Sequence, residues 1–186
     1  PRCDGTLECS NFSRYRSTCR VVASVGSACD LGGIRTLCPD ATRCVPTTGS
    51  STPTCMAAVD EVEPNNAPAA PMAAVARSTL YAGAVSTTDP QDCYAVTVRA
   101  GESLYLETVP SGLRLSFHAP SGVELGRWIT SDDGSGGPLR GSARLRPERV
   151  GALRELAAGT YAACIVARGA DARSYQLAIG VLPPGP

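Results

Sequence analysis

The chain has 186 residues, with seventeen basic and seventeen acidic side chains and no net formal charge. No bulk field therefore favours nucleic acid or an anionic membrane as a partner. No apolar run reaches the roughly 18–20 residues of a membrane helix, so no membrane span is expected.

Every basic residue is arginine, the mark of high-GC coding, so arginine clusters carry little functional information. The opening Pro1-Arg2-Cys3 has neither the charged region nor the apolar stretch of a signal peptide. It reads as the start of a mature product or of a segment from within a longer protein.

Nine cysteines stand at Cys3, Cys9, Cys19, Cys29, Cys38, Cys44, Cys55, Cys93 and Cys164, seven of them in the first 55 residues. That density implies a small scaffold stapled by disulfides and an oxidising, extracytoplasmic location. Zinc is the weaker alternative: there is no CxxC pair, and the one histidine, His118, lies far from the cluster.

Residues 1–58 are expected to form a disulfide-rich, loop-rich module with sparse secondary structure. They contain an internal repeat. A shift of 35 maps Cys3 onto Cys38 and Cys9 onto Cys44, and a shift of 36 maps Cys19 onto Cys55. The second unit has a fourth cysteine, Cys29, whose counterpart would precede Pro1, so the first unit is truncated and one cysteine is left over. The leftover would pair with upstream chain, pair with another subunit, or stay free. Four cysteines allow three connectivities, and spacing does not choose among them. The spacing resembles small cysteine-rich repeats of secreted bacterial proteins. Arg20–Gly26 reads as a short strand, residues 46–54 as a Ser/Thr/Pro/Gly loop, and Asn11-Phe-Ser13 fits a glycosylation sequon.

Residues 59–186 change character. Pro64–Ala76 is rich in proline and alanine and reads as a linker. Beyond it, apolar residues alternate: Tyr94, Val96 and Val98; Leu104 and Leu106; Leu113, Leu115 and Phe117; Tyr161, Ala163 and Ile165; Tyr175, Leu177 and Ile179. Period-two runs of this kind are half-buried strands. Turn signals at Asp89-Pro90, Ala100-Gly101, Ser111-Gly112, Ser121-Gly122 and Asp132-Asp133-Gly134 separate them. The expectation is an all-β antiparallel sandwich of two sheets, about four strands each, with no helix. Cys93 and Cys164 fall opposite the aromatic faces of two such strands, where a disulfide would join them.

From about Glu61 to Val181 the chain resembles the bacterial pre-peptidase C-terminal domain family, akin to the collagen-binding domains of collagenases. The matching pieces, in order, are Glu61-Val-Glu-Pro-Asn-Asn66, Asp89-Pro-Gln-Asp-Cys-Tyr94, Ala100–Glu107, Leu113–Leu125, Ser131–Gly134, Leu156–Val166 and Tyr175–Val181. The resemblance implies a jelly-roll-like β-sandwich, carried on exported proteins and not catalytic.

Calcium is the chemistry this segment suggests. An extended Glu61–Asn65 would turn Glu61, Glu63 and Asn65 to one side, and calcium takes six to eight oxygens. The resemblance assigns ligands to Glu61, Glu63, Asn65, Asn66, Asp89 and Asp92, with Thr87 as a further donor. The family often has aspartate at Asn66. A solvated acidic stretch beside an ordinary Asp-Pro turn is the competing reading.

Other constellations are weaker. Asp132-Asp133 reads as a solvated hairpin turn. His118, expected to face outward, has no catalytic partner motif, so no enzyme is expected. Tyr105 and Trp128 lie on the parity opposite their strand leucines and suggest either a binding face or packing beneath the linker or the cysteine-rich half. Together these imply a secreted binding or accessory module stabilised by disulfides and Ca2+. Its partner would be an extracellular protein, a matrix or polysaccharide ligand, or copies of itself. The alternative is a structural subunit of an extracellular filament or surface coat, prompted by the odd cysteine and by strand edges open to pairing.

Overall fold

The structure, a computed structural model, describes residues 7–13, 16–31, 36–48, 50, 52–73, 76–109, 113–129, 143–145, 153–167 and 172–185. Asp132, Asp133 and Cys3 lie outside them. Residues 7–13, 16–20, 109, 129 and 143–145 are described by their backbone alone, which includes Cys9 and Cys19.

Among the described residues the chain is all-β. The strands are β1 (Leu7–Ser13), β2 (Arg16–Val22), β3 (Thr36–Leu37), β4 (Thr42–Val45), β5 (Thr54–Asp60), β6 (Thr79–Val85), β7 (Gln91–Val98), β8 (Ser103–Val109), β9 (Arg114–His118), β10 (Glu124–Ile129), β11 (Ala143–Leu145), β12 (Gly159–Val166) and β13 (Arg173–Leu182). The cysteine-rich half is richer in strand than expected, because each repeat unit folds its last two cysteines into an antiparallel hairpin, β1–β2 and β4–β5. Of the short strand expected over Arg20–Gly26, only Arg20–Val22 is strand, the end of β2.

Two sheets form the sandwich. One has the order β10-β9-β12-β7, the other β11-β8-β13-β6-β5-β4. The alternating residues meet between them: Tyr94, Val96, Val98, Leu104, Leu106, Leu113, Leu115, Phe117, Tyr161, Ala163, Ile165, Tyr175, Leu177 and Ile179 belong to one buried core. Phe117 stacks on Tyr161 with ring centroids 5.3 Å apart, a favourable offset contact. β5 runs on through the composition break and pairs in parallel with β6, so the cysteine-rich half and the sandwich share the larger sheet.

Three disulfides are present among the described residues: Cys29–Cys44, Cys38–Cys55 and Cys93–Cys164. Cys93 and Cys164 are directly opposed on β7 and β12, on the face turned away from Tyr94 and Tyr161. Their Cα atoms are 4.0 Å apart.

Trp128 and His118 sit differently from their sequence reading, and Tyr105 takes the packed one of its two alternatives. Tyr105 does face outward from the core, but it is buried. Its cross-strand partner Gly180 lies under Pro46, with the Pro46 ring 2.8–3.0 Å from where a Cβ would stand, so the cysteine-rich half covers that face. Its hydroxyl donates to Glu107 Oε2 at 2.5 Å. Trp128 is half-buried against the main core and lies over Gly126. A register shift between Glu124 and Gly126 resets the alternation of β10, leaving Leu125 outward and Trp128 inward. His118 is 8% exposed rather than open to water, with Nε2 3.0 Å from Ser116 Oγ.

Within the Pro64–Ala76 stretch, Met72 is tied down rather than free. Met72 bridges Tyr94 in parallel, with Met72 N–H donating to Cys93 O at 2.8 Å and Ala95 N–H to Met72 O at 2.9 Å. This stretch therefore covers part of the β7 edge, which would otherwise present unpaired donors and acceptors.

Candidate metal centre

The segment from Glu61 to Asn66 leaves β5 and turns without strand pairing, and the Glu63–Pro64 peptide is cis. Asn65 O accepts the Cys93 N–H at 2.8 Å, which fastens the turn to the start of β7. This brings Asp92, the residue before Cys93, under the turn. Glu61, Glu63 and Asp92 each place a carboxylate oxygen within 4.8 Å of the others.

Asn65 is fully buried at the centre. Its side-chain amide lies against the carboxylates, with Nδ2 3.1 and 3.3 Å from the two Glu63 oxygens and 3.2 Å from Asp92 Oδ1, in place to donate to them. Among the described residues no arginine pairs with these carboxylates; the ion pairs are Arg77–Glu102 and Arg127–Glu124, elsewhere.

The inner wall is built by two tyrosines. Tyr175 OH donates to Asp92 Oδ2 at 2.7 Å, lies 2.5 Å from Tyr94 OH, and reaches Glu61 Oε2 at 3.3 Å. The Tyr94 ring stacks on Tyr81, with centroids 4.2 Å apart. Glu61 Oε1 accepts the Ala84 N–H at 2.8 Å. Gly83 makes room: a Cβ there would run into Glu61 Oε2 and stand 2.5 Å from Tyr175 OH.

The outer wall is the turn between β6 and β7. Asn66 Nδ2 donates to Asp89 Oδ1 at 2.7 Å, and Ser86 braces Asp89 through both its N–H and its hydroxyl. The donor role of Asn66 is one an aspartate could not fill. Thr87 is exposed in this turn and makes no hydrogen bond to the cluster among the described residues.

The electrostatics follow from burial and crowding. Burial pushes the Asp92 carboxyl up to about 8, opposed by the Tyr175 hydrogen bond and reinforced by the Glu61 and Asp89 charges. Asp89 is also raised, by burial first and then by Glu63 and Glu61. Two unit charges at about 4 Å repel by about 4 kcal/mol near a protein surface, so four carboxylates here favour either protonation or a cation. The donors are all hard oxygens, the set that suits calcium or magnesium rather than zinc.

Sequence reasoning did not single out Gly83, Tyr94 or Tyr175. The two tyrosines read as core residues of alternating strands, which they are. The available signal was chemical: a buried tyrosine in an alternating core run must find a partner for its hydroxyl.

No family profile matches the chain, and no curated protein does. Among solved structures it is similar to the pre-peptidase C-terminal domain of a Bacillus anthracis collagenase, at 14% identity, covering 64% of this chain and 99% of that one, with a TM-score of 0.42. It is also similar to PliG, a periplasmic inhibitor of g-type lysozyme. For the Salmonella Typhimurium protein the figures are 19% identity, 56% of this chain, 91% of that one and a TM-score of 0.38. For the Aeromonas hydrophila protein they are 16%, 67%, 95% and 0.40.

Proposed function

We propose that this protein is a secreted, non-catalytic module whose β-sandwich is held by a calcium ion at the junction of β5, β6 and β7, and which binds an extracellular protein or matrix ligand. The observation that carries the metal reading is the convergence of Glu61, Glu63 and Asp92, whose carboxylate oxygens lie within 4.8 Å of one another with no arginine paired to them among the described residues. Glu61, Glu63 and Asp92 would hold the ion, with Asp89 closing the outer side and Asn65 turning its amide oxygen inward as the ion enters. These are oxygen donors of the kind that calcium takes, and water would complete the shell. Bound there, the ion would supply positive charge and offset the repulsion among the carboxylates. Exported location is supported by the disulfides, which persist in oxidising compartments.

Titration calorimetry and thermal unfolding, with calcium and with chelator, test the reading. Calcium at 100 times its Kd should stabilise the fold by about 2.7 kcal/mol, a rise in Tm of several degrees. Asn65→Asp sharpens the test. An oxygen ligand at this position is kept by aspartate, so calcium binding persists, whereas a donor amide cannot be replaced by it. No heat of binding and an unchanged Tm at millimolar calcium would end the metal reading.

A further inference from the structure

A single residue ties the metal turn to the sandwich. Cys93 N–H donates to Asn65 O at 2.8 Å, and Cys93 O accepts the Met72 N–H at 2.8 Å. Its side chain is bonded to Cys164. The turn that carries Glu63 and Asn65 and the stretch that reaches Met72 therefore hang on the same residue. Asp92, the carboxylate under the turn, precedes it in the chain.

The way Cys93 meets β12 gives the disulfide its weight. β7 is the last strand of its sheet, and β12 is its neighbouring strand. Cys93 stands directly opposite Cys164, close to the end of the ladder, where Gln91 faces Val166. In an antiparallel pair, opposed residues alternate between those that exchange backbone hydrogen bonds and those that do not. Cys93 turns both its backbone groups away from β12, to Asn65 and Met72, so it belongs to the second kind. At this position the disulfide is what joins the two strands. Ends of ladders open most readily, and the metal turn is fastened to this end.

We infer that the Cys93–Cys164 disulfide is a positioning element for the metal centre, so that calcium affinity and the oxidised state of this bond are linked. The inference rests on the calcium reading above. A dithiol reductant opens the bond by exchange: the two cysteines gain two electrons and two protons and become thiols, and the dithiol leaves as a cyclic disulfide. With the bond open, the start of β7 is held to β12 by its backbone ladder alone. Glu63, Asn65 and Asp92 then lose their common anchor. Linkage is reciprocal: the factor by which reduction weakens calcium binding is the factor by which calcium opposes reduction. The centre thus reaches its full affinity only in an oxidising compartment.

Calorimetry on the oxidised protein and on the double variant Cys93→Ala/Cys164→Ala tests the linkage. The calcium Kd of the variant should be about tenfold higher, within the usual range of coupling between sites. Cys29→Ala/Cys44→Ala removes a bond outside the turn and should leave the Kd unchanged. Where the first variant is too unstable to titrate, the unaltered protein gives the reciprocal reading. It is equilibrated with reduced and oxidised dithiothreitol, alkylated, and mapped by mass spectrometry. Half-reduction of Cys93–Cys164 should need an about tenfold higher ratio of reduced to oxidised reagent in saturating calcium than in chelator, while that of Cys29–Cys44 stays put. An equal Kd with and without the bond, or a reduction midpoint indifferent to calcium, would overturn the inference and leave the metal reading standing. Absence of any calcium heat in the oxidised protein would remove the metal reading and this inference with it.

Discussion

The two halves of the chain solve the same problem by different means. Among the described residues the sandwich hides a continuous core of nineteen buried residues between its sheets. Among the described residues the second cysteine unit buries Cys29, Thr42, Val45, Pro46 and Cys55, and relies on two disulfides and the sheet edge it borrows. Apolar burial at about 25 cal/mol per Å2 can stabilise the first without help; the second lacks the area and needs covalent constraint. Reduction should therefore separate them. In reductant, amide exchange over residues 36–45 should rise to that of an open chain while β12 and β13 remain protected. Simultaneous loss of protection in both halves would mean that the shared sheet makes them one cooperative unit.

Within the sandwich the largest single effect should come from its own disulfide. Replacing Cys93 and Cys164 together by alanine frees a closed loop with a sequence separation of 71. On the chain-entropy account that costs about 4 kcal/mol, against about 3 kcal/mol for Cys38–Cys55. Denaturant unfolding of the two double variants measures both. A sandwich variant that loses less than the Cys38/Cys55 variant would show that the core, not the staple, sets its stability.

Next in size is the metal centre. Gly83→Ala places a methyl group against Glu61 Oε2 and Tyr175 OH, so Glu61 must move. Calcium affinity should fall at least tenfold, about 1.4 kcal/mol, with a smaller change in chelator. Calorimetry with unchanged affinity would remove Glu61 from the proposed ligands.

How much of this was readable beforehand depended on the range of the signal. Alternation at Leu104, Leu106, Leu115 and Phe117 is local, set by the two-residue period of a strand, and it named the core directly. The Cys93–Cys164 bond was legible because both cysteines lie on the far side of aromatic strand residues. Tyr105 was harder. Its outward parity is correct, but its burial depends on Pro46, distant in sequence and brought in by β5 pairing with β6. Trp128 does lie on the face opposite Leu125, but Leu125 is the one turned outward, because the register shifts between Glu124 and Gly126. At the metal centre the acidic residues announced themselves by charge. The Tyr94 and Tyr175 hydroxyls did not, because a tyrosine in an alternating run looks like any other core residue until its tip is located.

The pH dependence of the metal-free protein distinguishes the centre from the rest of the sandwich. Asp92 titrates near 8 in the folded chain against an ordinary value of 3.8, and Asp89 is raised in the same direction. A raised carboxyl means that the folded state holds the proton more tightly than the unfolded one. Its contribution is full below about pH 3.8 and is lost as the pH climbs towards 8. In chelator the Tm should fall across that interval. With calcium present the charge is met by the ion, and the slope should flatten. A Tm that rises from pH 4 to 8 in chelator would show that these carboxylates are satisfied without a cation.

The narrowest test isolates one hydroxyl. Tyr175→Phe removes the donor to Asp92 Oδ2 and the 2.5 Å contact with Tyr94 OH, while the ring stays in the core. Losing a hydrogen bond to a charged acceptor costs about 1.5–3 kcal/mol when that acceptor is ionised, and much less when it is protonated. The loss should therefore grow with pH in chelator, as Asp92 ionises without its donor. It should shrink when calcium is added, because the ion then satisfies the same carboxylate. Tyr94→Phe is the matched control. It removes the hydroxyl that meets Glu61 Oε2 at 3.3 Å and leaves the bond from Tyr175 to Asp92 in place. A Tyr175→Phe penalty that is the same at all pH values, with and without calcium, would mean that the hydroxyl serves core packing alone and has no part in holding the Asp92 charge.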